Sequence, residues 1–340
     1  MIFLLELKEK IKKVFNRYNT YIVPAVRFVM ALVSMILLDV YIGYMPILKN
    51  PLVAVAVAAV CAFLPIGFMI VVLSLVMVAH LYAISLEFSL IALCVVLLMY
   101  LLYFRFAPKY GYLIIITVML CGLKLPFVIT VAVGLVAGLS AIIPVSFGVI
   151  IFYIIQTASS YEAAIAKTTT SDSMQQIAYI VETFVSNREW IVTVVAFAVT
   201  IIVVHCIKRL TIDNAWSYAI IAGTAVQFII FIAGIIALQA KINMVLMVVG
   251  TILGVAAAYV CQVVFFSLDY KRTEYVQYED DEYYYYVKAV PKINIADSDV
   301  QVKRINARNT KSARDINSMN RKVSNKNAPA VGEDEEDIFI

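Results

Sequence analysis

Long apolar runs constrain this chain more than any other feature of its sequence. Several approach or exceed the roughly 20 residues that a helix needs to cross a bilayer. Of the 340 residues, 63% are hydrophobic and only 15% are charged, whereas about a quarter of the residues of a soluble domain are charged. The sequence therefore predicts an all-α integral membrane protein with its membrane domain at 21–267. Unbroken spans are expected at about 21–43, 86–104, 190–207, 216–238 and 243–266.

The apolar block at 52–104 is too long for one helix, and Pro65 and Gly67 in "FLPIG" interrupt it. Proline ends or kinks a helix because it lacks a backbone donor and clashes with the preceding turn. The 13 residues "LVAVAVAAVCAFL" before the break give about 20 Å of helix, which is short of a hydrocarbon core of about 30 Å. This arm is either a short tilted span or the first arm of a re-entrant hairpin.

The block at 111–157 has the same form, with a break between Gly122 and Pro126. The segments "CAFLPIGFMIVVLSLVMVAH" and "CGLKLPFVITVAVGLVAGLS" align at their breaks with one insertion, which fits either a duplication or the general similarity of apolar segments. If each block crosses an odd number of times, the second is inverted relative to the first. The sequence then predicts eight to ten transmembrane helices, and paired broken helices in inverted repeats form the binding sites of many secondary transporters.

Lysine and arginine gather in one set of segments, at 1–20, 105–109, 208–209 and 271–272. The positive-inside rule places these segments in the cytoplasm, so we expect a multi-pass protein of the cell membrane with both termini inside. Residues 1–20 are predicted to form a basic amphipathic helix on the anionic inner leaflet. Residues 158–189 are then extracytoplasmic and contain a short amphipathic helix.

The segment 268–292 is too polar for lipid and predicts a small cytoplasmic β-hairpin, because two β-prone runs flank the acids "EDDE". A lone two-stranded hairpin is marginal in water, so we expect pairing with its own copy in a homo-oligomer or with a partner protein. The candidate partner-binding residues are Tyr283, Tyr284, Tyr285 and Tyr286. An aromatic anchor at the membrane interface is the alternative for them.

Residues 293–340 are predicted to be disordered, since polar and charged residues dominate them. The acidic run that ends in Ile338, Phe339 and Ile340 is a candidate docking peptide, with a solvated tail as the alternative. Residues 303–326 are basic and suit anionic lipid, whereas binding of nucleic acid is not expected.

Few polar residues inside the apolar blocks are candidates for function. Lys124 would lie deep and contact an anionic group if its arm is re-entrant, and would snorkel at the outer interface if the arm spans. Asp39 is either a coupling residue or an interfacial one. It lies twelve residues after Arg27, roughly 18 Å along a helix, so the two cannot pair. His80 and His205 are expected to face other helices.

No enzyme motif is found in the sequence, which lacks a P-loop, HExxH and G-x-S-x-G. We therefore expect no catalytic activity, and any ATP hydrolysis would belong to a separate ATPase subunit. The five cysteines lie in apolar runs without metal-ligand spacing, so neither a metal nor another cofactor is expected.

Three stretches carry a resemblance to a known group of proteins: "AHLYAISLEFSLIALCVVLLMYLLYFRFAPK" (79–109), "KRLTIDNAW" (208–216) and "DYKRTEYVQYEDDEYYYYVKAVPK" (269–292). In these the chain resembles uncharacterised polytopic membrane proteins of Gram-positive anaerobes, loosely labelled hypothetical or permease-like. The resemblance covers about 20–292, its tail string is the specific part, and it implies no demonstrated activity.

Two functions fit these patterns. The first is a transporter or permease-type subunit with a site between the two broken blocks. The alternative is a membrane scaffold or assembly protein whose cytoplasmic tail recruits partners in envelope or surface-structure biogenesis. The residues predicted for the transport site are Lys124, Asp39, Pro65, Gly67, Gly122 and Pro126.

Overall fold

A computed structural model describes residues 2–165, 173–210, 212, 214–240, 242–266, 274–279 and 284–289. Within these ranges the chain is predominantly helical, with one pair of strands near its end. The helices are α1 (Ile2–Ile42), α2 (Pro51–Phe63), α3 (Ile66–Tyr82), α4 (Leu86–Phe106), α5 (Tyr112–Gly122), α6 (Ile129–Val136), α7 (Ile142–Ile165), α8 (Ser173–Ser186), α9 (Arg188–Lys208), α10 (Ala215–Leu238) and α11 (Met244–Phe266). Short 3-10 turns lie at Pro108–Tyr110, Pro126–Val128 and Leu139–Ala141.

Six helices in the described part of the chain are long and apolar enough to cross a membrane, as a multi-pass protein requires. The sequence predicts eight to ten, and the difference lies in the two broken blocks, each of which supplies one helix of this length. Four shorter apolar helices make up the rest of these blocks: Pro51–Phe63, Ile66–Tyr82, Tyr112–Gly122 and Pro126–Val136. The six long ones are Lys13–Ile42, Leu86–Phe106, Leu139–Glu162, Arg188–Lys208, Ala215–Leu238 and Met244–Phe265.

Helix α1 joins the predicted interfacial segment to the first span without a loop. Tyr18 leaves the helical conformation, with φ −113° and ψ 19°, close to the predicted boundary at residue 20. Pro24 follows inside the same helix. The amphipathic helix predicted within 158–189 is α8, whereas the first residues of that segment continue α7.

Helices α2 and α3 form a helical hairpin, here called hairpin A, whose tip lies at Leu64 and Pro65. The Nη1 atom of Arg27 donates to the Leu64 carbonyl at 3.2 Å, so the tip is level with the first half of the α1 span. A Cβ placed on Gly67 would lie 3.5 Å from the ring of Phe104, two residues before α4 ends. Hairpin A therefore reaches almost to the far end of α4.

Helices α5 and α6, with the 3-10 turn between them, form hairpin B. At its tip, the Tyr41 hydroxyl donates to the Gly122 carbonyl at 2.7 Å, next to the last residue of α1. At its other end, the Gly138 N–H donates to the Tyr110 hydroxyl at 3.1 Å, and Lys208, the last residue of α9, donates to the Ala137 carbonyl at 3.1 Å. Hairpin B thus points the opposite way from hairpin A.

These contacts define two ends of the helix bundle. The end where α4 and α9 terminate is called the basic end, because it carries Arg105, Lys109, Lys208 and Arg209. The end where α1 terminates and α9 begins is called the opposite end. Hairpin A enters from the opposite end and is followed by the long helix α4, whereas hairpin B enters from the basic end and is followed by α7.

Small side chains explain why α2 packs against α1 along its length. Ala54, Ala58 and Cys61 are buried, and small residues at this spacing let two helices approach closely. The other face of α2 is open, with Leu52 at 76% and Phe63 at 82% exposure. Helix α2 is consequently a peripheral element of the bundle.

The described strands form a second compact unit, separate from the helices. Strand β1 (Glu274–Glu279) pairs antiparallel with β2 (Tyr284–Ala289), and Tyr278 lies opposite Tyr285. The antiparallel pairing of strands predicted on the two sides of "EDDE" is confirmed. Tyr283, the candidate docking residues Ile338, Phe339 and Ile340, and the predicted disorder of 293–340 all lie outside the described residues.

Candidate functional site

A cavity of about 470 Å³ opens at the opposite end of the bundle, above the tip of hairpin B; it is called the polar cavity. The hairpin tip, α7, α9 and the start of α11 contribute its walls. Its lining combines aromatic rings with one cationic, one anionic and several neutral polar side chains. The polar residues that line it are Tyr41, Lys124, Tyr153, Gln156, Ser159, Glu189, Thr193 and Asn243.

The polar cavity lies where hairpin B stops short of the ends of α10 and α11. The ring of Phe127 packs edge-on against Phe231 at a centroid distance of 4.9 Å, seven residues before α10 ends. A Cβ placed on Gly250 would lie 2.8 Å from the ring of Phe127, six residues after α11 begins. At 1.5 Å per residue, Phe127 of the tip is recessed by about 10 Å from the ends of α10 and α11.

Backbone carbonyls at the recessed tip need donors, because a helix end leaves its last carbonyls without partners. Gln227 on α10 is fully buried and fills this role. Its Nε2 donates to the Phe127 carbonyl at 3.3 Å, and its Oε1 accepts from the Thr130 hydroxyl at 2.8 Å. Together with the Tyr41 hydroxyl on Gly122, these bonds fix the tip within the bundle.

Lys124 occupies an unusual backbone position in this tip. Its φ is +60°, and the turn around it is a Schellman motif. The Lys124 N–H donates to the Cys121 carbonyl, and the Leu125 N–H donates to the Leu120 carbonyl. Glycine usually takes this left-handed position, and another residue there costs about 1 kcal/mol. The side chain of Lys124 is exposed at the wall of the polar cavity.

At the basic end, Lys208 caps hairpin B. Its Nζ donates to the Leu135 carbonyl at 2.7 Å as well as to Ala137, so the ammonium meets the carbonyl end of α6, where a positive charge is favoured. From the sequence, Lys208 is used only to predict, by the positive-inside rule, which end of the protein faces the cytoplasm. Arg27 likewise bonds to the tip of hairpin A in addition to any interfacial position.

The structure separates the residues predicted for one transport site. Lys124 and Pro126 line the polar cavity, whereas Pro65 and Gly67 lie at the tip of hairpin A, toward the basic end. Gly122 contributes its carbonyl to the bond with Tyr41. The two breaks are therefore not brought together around one central site.

Asp39 belongs to a different cluster, at the end of α1. Its Oδ1 lies 3.4 Å from Nε2 of the fully buried His80, whose Nδ1 accepts from the Met45 N–H at 3.4 Å. The proton of the imidazole is thus on Nε2, facing the carboxylate. Next to it, burial and a hydrogen bond with Glu162 raise the pKa of Tyr44 to about 12. This cluster fixes the loop after α1.

A second, smaller cavity of about 60 Å³ lies between hairpins A and B; it is called the apolar cavity. Its walls come mainly from aliphatic residues of α1, α3, α5 and α7, including Leu38, Leu73 and Ile115. Tyr41 and Phe152 line both cavities, and their rings meet edge-on at 5.7 Å between centroids. These two rings separate the polar cavity from the apolar one.

Sequence reasoning missed Gln227 and the two partition residues, Tyr41 and Phe152, as parts of a site. An uncharged amide in the middle of the apolar run of α10 was the available signal for Gln227, because a buried amide needs hydrogen-bond partners. Aromatic residues in apolar helices carry no comparable signal.

Comparison with protein-family models, curated proteins and solved structures finds no match for this chain. Among the described residues, no group of three or more His, Cys, Asp or Glu side chains is placed to hold a metal ion. The geometry of the cavities therefore carries the functional argument.

Proposed function

We propose that this protein is a multi-pass transporter or permease-type subunit that binds its solute in the polar cavity. The observation that carries the proposal is the recessed tip of hairpin B, which forms the floor of that cavity. Two helical hairpins that enter from opposite ends, each followed by a long helix, support it, because inverted repeats with broken helices are a common architecture of secondary transporters.

The position of Lys124 adds to this proposal. A lysine in a left-handed turn is less stable than a glycine there, and strained residues cluster at functional sites. We assign the ammonium the role of contacting an anionic group of the solute. Asp39 is 3.4 Å from His80 and outside the polar cavity, so a coupling role would be exerted through hairpin A rather than by direct contact with solute.

The charge distribution supports an orientation for this transporter. The basic end would face the cytoplasm by the positive-inside rule, with its lysines and arginines near the anionic leaflet. The polar cavity would then open to the outside of the cell membrane. Since the sequence has no P-loop, a primary active system would need a separate ATPase subunit.

Uptake of a mixed pool of solutes into proteoliposomes tests the proposal. Proteoliposomes would be incubated with a uniformly ¹³C-labelled mixture of cell metabolites, and the lumenal solutes measured by mass spectrometry. We expect at least one solute to enter faster than into empty liposomes, and Lys124→Gln to remove that difference. Lys49→Gln, in the exposed loop after α1, is the matched control. No solute entering faster than into empty liposomes would contradict the proposal.

The scaffold function is a second candidate, and the strands favour it. Tyr284 and Tyr286 share one face of the hairpin and are 63% and 76% exposed, and so small a sheet is marginal alone. We propose that this face binds a partner protein or a second copy. Crosslinking of the full chain in native membranes should give a defined adduct that Tyr284→Ser with Tyr286→Ser abolishes; an unchanged pattern would contradict this.

A further inference from the structure

We infer that the polar and apolar cavities form one two-part site for a small zwitterion with an aliphatic side chain, that is, an apolar amino acid. The inference rests on the proposed binding of solute in the polar cavity and names its chemical class. Three observations carry it: the pair of opposite charges in the polar cavity, the size and chemistry of the apolar cavity, and the two rings between them.

The polar cavity offers one side chain of each charge. Lys124 and Glu189 both line it, and the other polar groups there are neutral. The Lys124 ammonium suits a carboxylate of the solute. The Glu189 carboxylate has about four acceptor positions, so it accepts from an ammonium of the solute in addition to its contacts within the protein. A solute with only one charge would leave the like-charged side chain unfavourably close, whereas a zwitterion satisfies both.

The apolar cavity fits a short aliphatic group. Its volume of about 60 Å³ has room for roughly four to six water-sized groups, at roughly 10–15 Å³ for each. Leu38, Leu73 and Ile115 are among the aliphatic residues that line it, and such a lining favours a hydrocarbon over water. A side chain of three or four carbons matches this space.

The partition between the cavities links binding to the hairpin. Tyr41 and Phe152 separate the two spaces, and the Tyr41 hydroxyl also donates to the Gly122 carbonyl at 2.7 Å. A side chain that passes into the apolar cavity displaces the Tyr41 ring and breaks that bond. The tip of hairpin B then loses one of its caps, so occupancy of the apolar cavity is coupled to the mobility of the tip.

Binding to the purified full-length protein tests the inference, with glycine, alanine, norvaline and leucine as probes. Each added CH₂ buried should tighten Kd about fourfold, up to the four carbons of leucine, and tryptophan should bind more weakly than leucine. Pentanoate and butylamine, which each lack one charged group of norvaline, should bind at least tenfold more weakly than norvaline.

A cavity-filling variant locates the aliphatic group. Val118 lines the apolar cavity, so Val118→Phe should remove the advantage of leucine over glycine. Val60 lies on α2, and its side chain is 58% exposed. Val60→Phe is the matched control and should bind glycine and leucine as the parent protein does. The probe series on the parent protein is informative even if Val118→Phe does not fold.

Any one of three results would overturn the inference. Pentanoate binding as tightly as norvaline would exclude the zwitterion, and equal binding of glycine and leucine would exclude the apolar cavity. If no probe binds while the ¹³C uptake assay is positive, the amino-acid class is wrong but transport stands. If leucine binds with the expected series and no solute is taken up, the site stands and the transport function is wrong.

Discussion

Hairpins A and B begin from the same sequence pattern, a short apolar arm that ends near a proline, yet they take different places in the bundle. Hairpin A is peripheral, with the outer face of α2 open, and its tip reaches almost to the end of α4. Hairpin B packs against α7, α9 and α11, and its tip stops about 10 Å short of the ends of α10 and α11. The tip of hairpin B lines the polar cavity, whereas the tip of hairpin A lines neither the polar nor the apolar cavity.

The difference follows from the donors that neighbouring helices supply to each break. Irregular backbone is tolerated at membrane depth only where other groups satisfy it. The break of hairpin B receives bonds from Tyr41 and Gln227, whereas Arg27 donates a long-range side-chain bond to the tip of hairpin A. The break with more donors from other helices is the one that packs inside the bundle.

The largest effect is expected at the buried cap of hairpin B. Gln227→Leu removes the amide from the buried Phe127 carbonyl, to which the Thr130 hydroxyl keeps a bond at 3.4 Å. The loss should cost about 1–3 kcal/mol. Arg27→Met at the partly exposed tip of hairpin A should cost less than about 1 kcal/mol. Unfolding of both variants in detergent measures the difference, and equal losses would remove the proposed contrast.

The next largest loss of stability is expected from an alanine substitution at Gly134, compared with the same substitution at Gly67. A Cβ placed on Gly134 in α6 would lie 2.7 Å from the Cβ of Val204, whereas one on Gly67 in α3 would meet Phe104 at an ordinary 3.5 Å. Gly134→Ala should destabilise by about 1–3 kcal/mol because it overpacks the contact with α9, and Gly67→Ala should cause no loss. Thermal unfolding tests this.

The same experiment has an internal control. Adding Val204→Ala to Gly134→Ala removes the atoms that clash and should recover part of the lost stability. If the double variant is as unstable as the sum of the two single ones, the close approach of α6 to α9 is not the cause.

The long helices and the two breaks could be predicted because they depend on local properties, namely apolar length and the missing donor of proline. The paired strands could be predicted because two β-prone runs flank the acids "EDDE". The placement of the hairpins depends on partners far along the chain: Gln227 bonds to a residue 100 positions earlier, and Lys208 to one 73 positions earlier. No local pattern encodes such partners, so neither the cavity nor the separation of Asp39 from Lys124 could be predicted.

The smallest change in stability is expected at Lys124, and there the substitution should stabilise the protein rather than destabilise it. Lys124→Gly should stabilise the protein by about 1 kcal/mol, because glycine adopts the left-handed turn without strain, while it abolishes solute uptake. Lys124→Ala removes the charge and keeps the strained position, so it should abolish uptake without the gain in stability. A Lys124→Gly variant that transports normally would show that the lysine has no role in the site.

Thiol labelling from the two sides of the membrane tests the opposed hairpins most directly. In a background with Cys61, Cys94, Cys121, Cys206 and Cys261 replaced, a membrane-impermeant maleimide would be applied to intact cells and to inverted vesicles carrying Lys124→Cys or Pro65→Cys. The account predicts that Lys124→Cys reacts in intact cells and Pro65→Cys reacts in inverted vesicles. Reaction of both variants from the same side would contradict it.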